Sequence, residues 1–221
     1  MTKDELIEKL IRGGYLRTPR IISAFRAIDR ADFVLPEYRE EAYRDEPLPI
    51  GFGQTISQPM TVAFMLEQLQ PQPGERVLDV GAGSGWQSAL LAHIVSGDTT
   101  LHEPRGRVVA IERIPELLEM AIKNSIQYSF VQSGALTLVQ GDGTKGYPSR
   151  APFHRIIAAA SAKGRIPVAW KEQLCFGGRL VAPVGTTIEV IERFAGTDFN
   201  TTVYEGFSFV PLISRSEGGD G

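Results

Sequence analysis

Val77-Leu78-Asp79-Val80-Gly81-Ala82-Gly83-Ser84-Gly85-Trp86 decides how this chain is read. Val77, Leu78 and Val80 fit a buried strand, and three glycines at alternate positions form a turn that opens a helix over Gln87–Val95. Glycines there let the backbone approach a ligand closely, and the helix start beyond them offers unpaired N–H groups. The spacing is G-x-G-x-G and departs from the G-x-G-x-x-G of dinucleotide sites. Asp79 stands two residues before the first glycine, and its charge suits a cationic or amine-bearing ligand better than a pyrophosphate.

Two further strands end in the same manner. Arg107–Glu112 is apolar and closes on an acid 27 residues after Gly85, roughly where the second strand of a nucleotide-binding βαβ unit ends. A carboxylate there can accept hydrogen bonds from both hydroxyls of a ribose, or it can stand solvated at a strand end. Leu136-Thr137-Leu138-Val139-Gln140 then runs into Gly141-Asp142-Gly143. The three stations, in this order, resemble the S-adenosylmethionine-dependent methyltransferases. The resemblance implies an α/β fold with a doubly wound, mostly parallel sheet and S-adenosyl-L-methionine as cofactor. It implies that Gly81, Gly83 and Gly85 line the methionine moiety, that Glu112 holds the ribose, and that Asp142 and Gly143 meet the adenine.

A chain of 221 residues, 43% hydrophobic and 22% charged, is long enough for one domain with a substantial core. The net charge of −3 predicts no general attraction to nucleic acid. Cys175 is the one cysteine, so no internal disulfide forms, which fits a reducing compartment; beside Phe176 it reads as a packed small hydrophobe. No apolar run has the length of a membrane span, and the charged Met1–Glu5 stretch does not read as a signal peptide.

Ahead of the first core strand the spacing predicts an N-terminal helical arm. Thr2 and Glu5 form a capping box for a helix to about Arg12, ended by Gly13-Gly14, and a second helix covers about Pro19–Ile28. Residues 33–50, with Pro36, Pro47 and Pro49, read as irregular, and a third helix follows Pro59. Further strands are expected at 153–159, 179–184, 187–194 and 203–210, and a frayed tail at 218–221. The domain reading is one methyltransferase unit over 1–221, with arm and substrate loop in 1–70 and the cofactor-binding core in 75–212.

The segment Gly51-Phe52-Gly53-Gln54-Thr55-Ile56-Ser57-Gln58-Pro59 carries more hydrogen-bonding groups than a connector needs. It resembles the G-x-G-Q-T-I-S-Q-P signature of the protein-L-isoaspartate O-methyltransferase family. The likeness continues through Val109–Glu112, Gly141–Tyr147, Gln173–Gly185 and Phe209–Leu212, nearly the whole chain in order. It implies transfer of a methyl group from S-adenosylmethionine to the α-carboxylate of isoaspartyl residues in proteins and peptides. Gly53, Gln54, Thr55 and Ile56 would then form the substrate loop, with no metal involved. A carboxylate is already ionised at neutral pH, so positioning and exclusion of water suffice. Ser57 suits the catalytic role as a neutral hydroxyl donor; its other reading is a helix N-cap ahead of Pro59.

Two stretches depart from the family pattern. Phe153-His154-Arg155-Ile156 stands where the family has Y-D-x-I, and Ser161-Ala162-Lys163-Gly164-Arg165 follows where the family has proline. His154 reads as a surface or hydrogen-bonded residue. Lys163 and Arg165 are solvated charges, or they hold the substrate's carboxylate and favour acidic peptides. The insert at 96–106 suggests no role. The expected protein is a cytoplasmic monomer without nucleic-acid or membrane partners. Two other functions stay open at this point: a peptide-tailoring aspartate methyltransferase, and a cofactor-binding adaptor without catalysis.

Overall fold

A computed structural model of the chain describes residues 1–97 and 106–213. Most of the 96–106 insert and the tail at 218–221 lie outside these residues.

The chain opens with α1 (Lys3–Arg12) and α2 (Pro19–Ala27). The Thr2 capping box is complete: Glu5 N–H donates to Thr2 Oγ1 at 3.3 Å, and Thr2 N–H donates to Glu5 Oε2 at 2.6 Å. The two helices are less an arm than part of the core. Leu6, Leu10, Ile21 and Phe25 belong to one buried cluster with Val77, Ala89 and Val108. Phe25 meets Trp86 edge-on, with ring centroids 5.6 Å apart.

Short 3-10 turns at Arg30–Phe33 and Pro36–Glu41 lead to a hairpin of β1 (Leu48–Gly51) and β2 (Gln54–Ile56). The irregular segment and polar loop expected here are therefore partly regular, with Leu48 opposite Ile56 and Pro49 opposite Thr55. Pro49 is tolerated because the sheet has two strands and both are edges. Gly51, Phe52 and Gly53 all take positive φ at the tip, and Phe52 is 57% exposed there.

Helix α3 (Pro59–Leu69) has Pro59 in its first turn and Gln58 at its N-cap. The cap bond comes from a distance: Met60 N–H donates to Asp45 Oδ1 at 2.9 Å. Buried Glu67 joins α3 to the start of α2, accepting from the N–H groups of Arg17 and Thr18 and from Thr18 Oγ1. The helix's carbonyl end meets three guanidinium groups. Arg179 donates to Gln68 O, Arg155 to Gln70 O and Arg20 to Pro71 O, where the helix dipole favours cations.

The core is a seven-stranded sheet built from β3 (Arg76–Val80), β4 (Arg107–Glu112), β5 (Leu136–Gln140), β6 (Phe153–Ala158), β7 (Leu174–Val184), β8 (Thr187–Ala195) and β9 (Asp198–Glu205). Its order is β5-β4-β3-β6-β7-β8-β9, parallel through β7 and antiparallel beyond. Alternate residues of β3 feed two cores: Val77 packs with α1–α3 and with α4 (Trp86–Ser96), whereas Leu78 and Val80 pack with Ile166 and Trp170. Helix α5 (Pro115–Ser125) joins β4 to β5 and contributes Leu117 to the first core. The second face is covered largely by short pieces, among them α6 (Val168–Glu172).

The strand expected at 203–210 is displaced to Asp198–Glu205. Gly206, at φ 94°, turns the chain, and Phe207–Leu212 no longer pairs with β8 as a strand. Among the described residues no helix is long and apolar enough to cross a membrane.

Candidate active site

The strand order reverses between β3 and β6, and open α/β sheets bind ligands at the carboxyl ends of strands beside such a point. Three connected spaces lie there. The first is walled by Gly81, Gly83, Glu112, Gly141 and Gly143 at strand ends and by apolar Ile111, Leu117 and Leu212. Gln54 and Thr55 of the hairpin close one side of it. The second is walled by Ser57, Gln58, Thr61 and the returning segment Gly206–Val210. A smaller space is bordered by Ser57, Gly81, Gly83, Trp86 and Gln87. Thr55 and Ala159 line all three, so the spaces meet there.

The returning segment is held across the ends of the strands by backbone bonds. Phe207 N–H donates to Thr186 O at 3.0 Å, Ser161 N–H to Val210 O at 2.8 Å, and Leu212 N–H to Ser161 O at 2.7 Å. It lines the second space with residues 206–210 and the first with 210–213.

Glu112 anchors the glycine turn. Its Oε2 accepts from Gly83 N–H at 2.9 Å, and its Oε1 accepts from Arg113 and Ile114 N–H at 2.8 and 2.9 Å. The side chain is 7% exposed and borders the first space, so it organises the turn as well as facing the cavity.

The turn residues divide. Gly81 and Gly83 border the first space, and a Cβ on Gly83 would stand 3.3 Å from Ile50 Cδ1. Gly85 does not reach a cavity wall. Its φ is 95°, and a Cβ would stand 3.2 Å from Ala121 Cα, Cβ and O, so this glycine admits α5 rather than a ligand.

Asp79 also differs from its sequence reading. It is fully buried, and its oxygens accept from Gln87 Nε2 at 2.8 Å and Ser88 Oγ at 2.6 Å. Burial pushes its carboxyl up to about 6, against the two hydrogen bonds, and the Glu112 charge adds to the rise. It borders none of the three spaces; it clamps the first turn of α4 to β3.

Asp142 is likewise beside the wall, which Gly141 and Gly143 supply. Its Oδ1 accepts from Thr144 N–H at 3.0 Å and Thr144 Oγ1 at 2.6 Å, capping the turn Gly143–Lys145. Gly53 is at the hairpin tip outside the walls, while Ile56 is buried beneath and touches only the smaller space.

Ser57 is half-buried where the second and smaller spaces adjoin. Gln58 occupies the N-cap of α3 and Asp45 supplies the cap bond, so the N-cap reading of Ser57 falls away. Its carbonyl accepts from Arg30 Nη2 at 3.1 Å. Arg30 itself is 2% exposed, and burial lowers its guanidinium to about 10, with Asp45 opposing that shift. Nothing in the local pattern around Arg30 marks it.

His154 and Arg155 are at the amino end of β6, away from the cavities. His154 Nδ1 accepts from Arg76 N–H at 3.0 Å, and Arg155 pairs with Glu75 at 3.0 Å. Lys163 and Arg165 are exposed and border neither large space. They are not placed to hold a carboxylate in either. Among the described residues no group of three His, Cys, Asp or Glu side chains is arranged to hold a metal ion.

The family described as protein-L-isoaspartate(D-aspartate) O-methyltransferase matches residues 1–217. A protein-L-isoaspartate O-methyltransferase of Aeropyrum pernix is 52% identical over 215 residues, covering 95% of this chain and 78% of the relative. Proteins of the same description from Staphylothermus marinus and Methanopyrus kandleri are 44% and 42% identical, covering 95% and 96% of this chain and 93% and 92% of theirs. A crystal structure described as a protein-L-isoaspartate O-methyltransferase of Plasmodium falciparum, in complex with S-adenosyl-L-homocysteine, superposes with a TM-score of 0.84. It is 21% identical and covers 96% of this chain and 99% of that one, a likeness of fold.

Proposed function

The chain belongs to the protein-L-isoaspartate(D-aspartate) O-methyltransferase family, and from that premise we infer how its own residues carry the reaction. The enzyme moves a methyl group from S-adenosylmethionine to the α-carboxylate of L-isoaspartyl residues in damaged proteins and peptides, initiating their repair.

The first space fits the cofactor. Gly81 and Gly83 keep the turn free of side chains, Glu112 presents an acid at the strand end, and Ile111, Leu117 and Leu212 offer an apolar wall to a flat ring. Gly143 and Asp142 complete our reading of the adenine end, and Glu112 that of the ribose. When bound, the cofactor supplies a methyl group carried on a sulfonium.

The second space takes the isoaspartyl peptide. One observation carries this assignment: none of the described residues lining it is an acid, a base or a histidine. A carboxylate nucleophile is ionised at neutral pH and needs no base; a cation in salt-bridge contact would compete for its electrons. Neutral donors suit it, and the wall offers Thr55, Ser57, Gln58, Thr61 and Ser208. Ser57 would donate to one carboxylate oxygen and leave the other free as the nucleophile, while Thr55 would shape the passage between the spaces. Phe207, Phe209 and Val210 give it an apolar side.

The chain works as one domain, because residues of α1 and α2 share their core with the sheet. We also place it in the cytoplasm as a monomer without nucleic-acid or membrane partners. The single cysteine supports the compartment and the net charge of −3 the lack of nucleic-acid partners.

The test is methyl transfer to an isoaspartyl peptide beside its normal aspartyl twin, with the parent and Ser57→Ala. The parent should methylate only the former. Ser57→Ala should lower kcat about tenfold or more, since a well-placed hydrogen bond is worth about 1–3 kcal/mol, with little change in cofactor affinity. Full turnover by the variant would remove Ser57 from the mechanism.

A further inference from the structure

Arg30 is buried with a positive charge, and all its hydrogen-bond partners are backbone carbonyls. Nη1 donates to Ala42 O at 2.6 Å and Arg44 O at 3.4 Å; Nη2 donates to Glu46 O at 2.9 Å and Ser57 O at 3.1 Å. The guanidinium also sits over the Trp86 ring, 5.3 Å from its centroid. Trp86 is the first residue of α4, directly after the glycine turn, and borders the smaller space with Ser57.

This is an expensive arrangement for stability alone. Arg30 Nε and Trp86 Nε1 are both buried without a hydrogen-bond partner. A buried cation held by carbonyls and a ring face gains less than one paired with a carboxylate. What the arrangement does give is geometry. A planar fork reaches carbonyls on two chain segments at once, which a lysine's single nitrogen does not match. The segment 42–46 and the Ser57 peptide are thereby fixed to each other and to the residue that opens α4. Asp45 reinforces the pair, with its carbonyl accepting from Gln58 Nε2 at 2.9 Å and its Oδ1 capping Met60 N–H.

We propose that Arg30 is a positioning residue for methyl transfer: through the Ser57 carbonyl and the Trp86 ring it sets the distance between the Ser57 hydroxyl and the glycine turn. The proposal rests on the reading of Ser57 as the donor to the substrate carboxylate. A misplacement of about 1 Å in a reacting geometry costs rates of order a hundredfold, so loss of the fork should register in kcat before it registers in binding.

The experiment is a double-mutant cycle of Arg30→Lys and Ser57→Ala, measuring kcat, peptide KM, cofactor Kd and melting temperature. Arg30→Lys keeps a charge at this position and loses the two-pronged contact. Alone, it should lower kcat about tenfold with KM and Kd within about threefold, while in the Ser57→Ala background its effect on kcat should shrink to about twofold. An equal kcat loss in both backgrounds would overturn the proposal, as would unchanged kcat with a lowered melting temperature. Full turnover by Ser57→Ala alone would instead remove the Ser57 reading, and the proposal with it. Arg30→Ala supplied with millimolar guanidinium gives a second measurement should the lysine variant fold poorly. Recovery of kcat by guanidinium but not by equal sodium chloride supports the role, and a folded variant without recovery refutes it.

Discussion

Glu112→Gln replaces one oxygen by an NH2 group and leaves the side chain's shape intact, so it isolates what the carboxylate does. In the parent, three backbone N–H groups converge on the two oxygens, one from Gly83 and two from Arg113 and Ile114. The amide has one accepting oxygen. It satisfies more donors by turning that oxygen to Arg113 and Ile114, which sets its NH2 against Gly83 N–H, two donors at the parent's 2.9 Å contact. One hydrogen bond to a charged acceptor is lost, worth about 1.5–3 kcal/mol, and the Gly83 peptide must move. Folding stability should fall by about 1–3 kcal/mol, or roughly 2–12 °C in melting temperature for a chain of this size. Because Gly83 borders the space proposed for the cofactor, S-adenosylmethionine affinity should fall with it, by about tenfold to a hundredfold. Titration calorimetry and thermal melting on the same preparation decide the point. Affinity within twofold of the parent would mean that the Glu112 carboxylate does not govern cofactor binding.

Asp79 gives a pH prediction. Its folded pKa is raised from 3.8 to about 6, so its contribution to stability is fully present below the unfolded value and is lost as pH rises through about 6. The loss is of order 3 kcal/mol, and Asp79→Asn should lack it, so the variant's stability relative to the parent should rise between about pH 4 and pH 6 in urea titrations. Parallel pH profiles would refute the assignment. Gly85→Ala should cost about 2–4 kcal/mol from its positive φ and its contact with Ala121, yet leave cofactor affinity unchanged at a permissive temperature. A large affinity loss there would return Gly85 to the cavity wall.

The parts of the fold that local pattern dictates were readable. The Thr2–Glu5 capping box, the apolar runs of β3 and β4 and the glycine turn all carry their signal within a few residues. Helix α5 carries equally local marks, Pro115 in its first turn with Leu117 and Ala121 on its buried side, but strand-to-strand reading passes over it. The hairpin at 48–56 is masked by Pro49 and by a tip that gives Phe52 a φ of 54°. The last strand is misplaced because Phe207, Phe209 and Val210 have the composition of a strand, and they cover a cavity instead of extending the ladder.

The site shows the same division on a longer scale. Residue types at strand ends were legible because sheet topology brings such ends together wherever the chain reverses direction. What holds the Ser57 segment was not, because its partners are distant in sequence: Arg30 and Ser57 are 27 residues apart, Asp45 and Met60 15, Thr18 and Glu67 49. These ties also account for how a half-buried serine on a hairpin-to-helix connection can be placed firmly enough to matter. A donor that only orients an ionised carboxylate gains its rate from position, and a freely moving Ser57 would lose that gain to entropy. The fixed carbonyl of Ser57, the separate capping of α3 by Asp45 and the uncharged wall of the second space are therefore parts of one requirement. In the mechanism proposed for Ser57, each keeps the hydroxyl available to the substrate, and none asks the protein to move a proton.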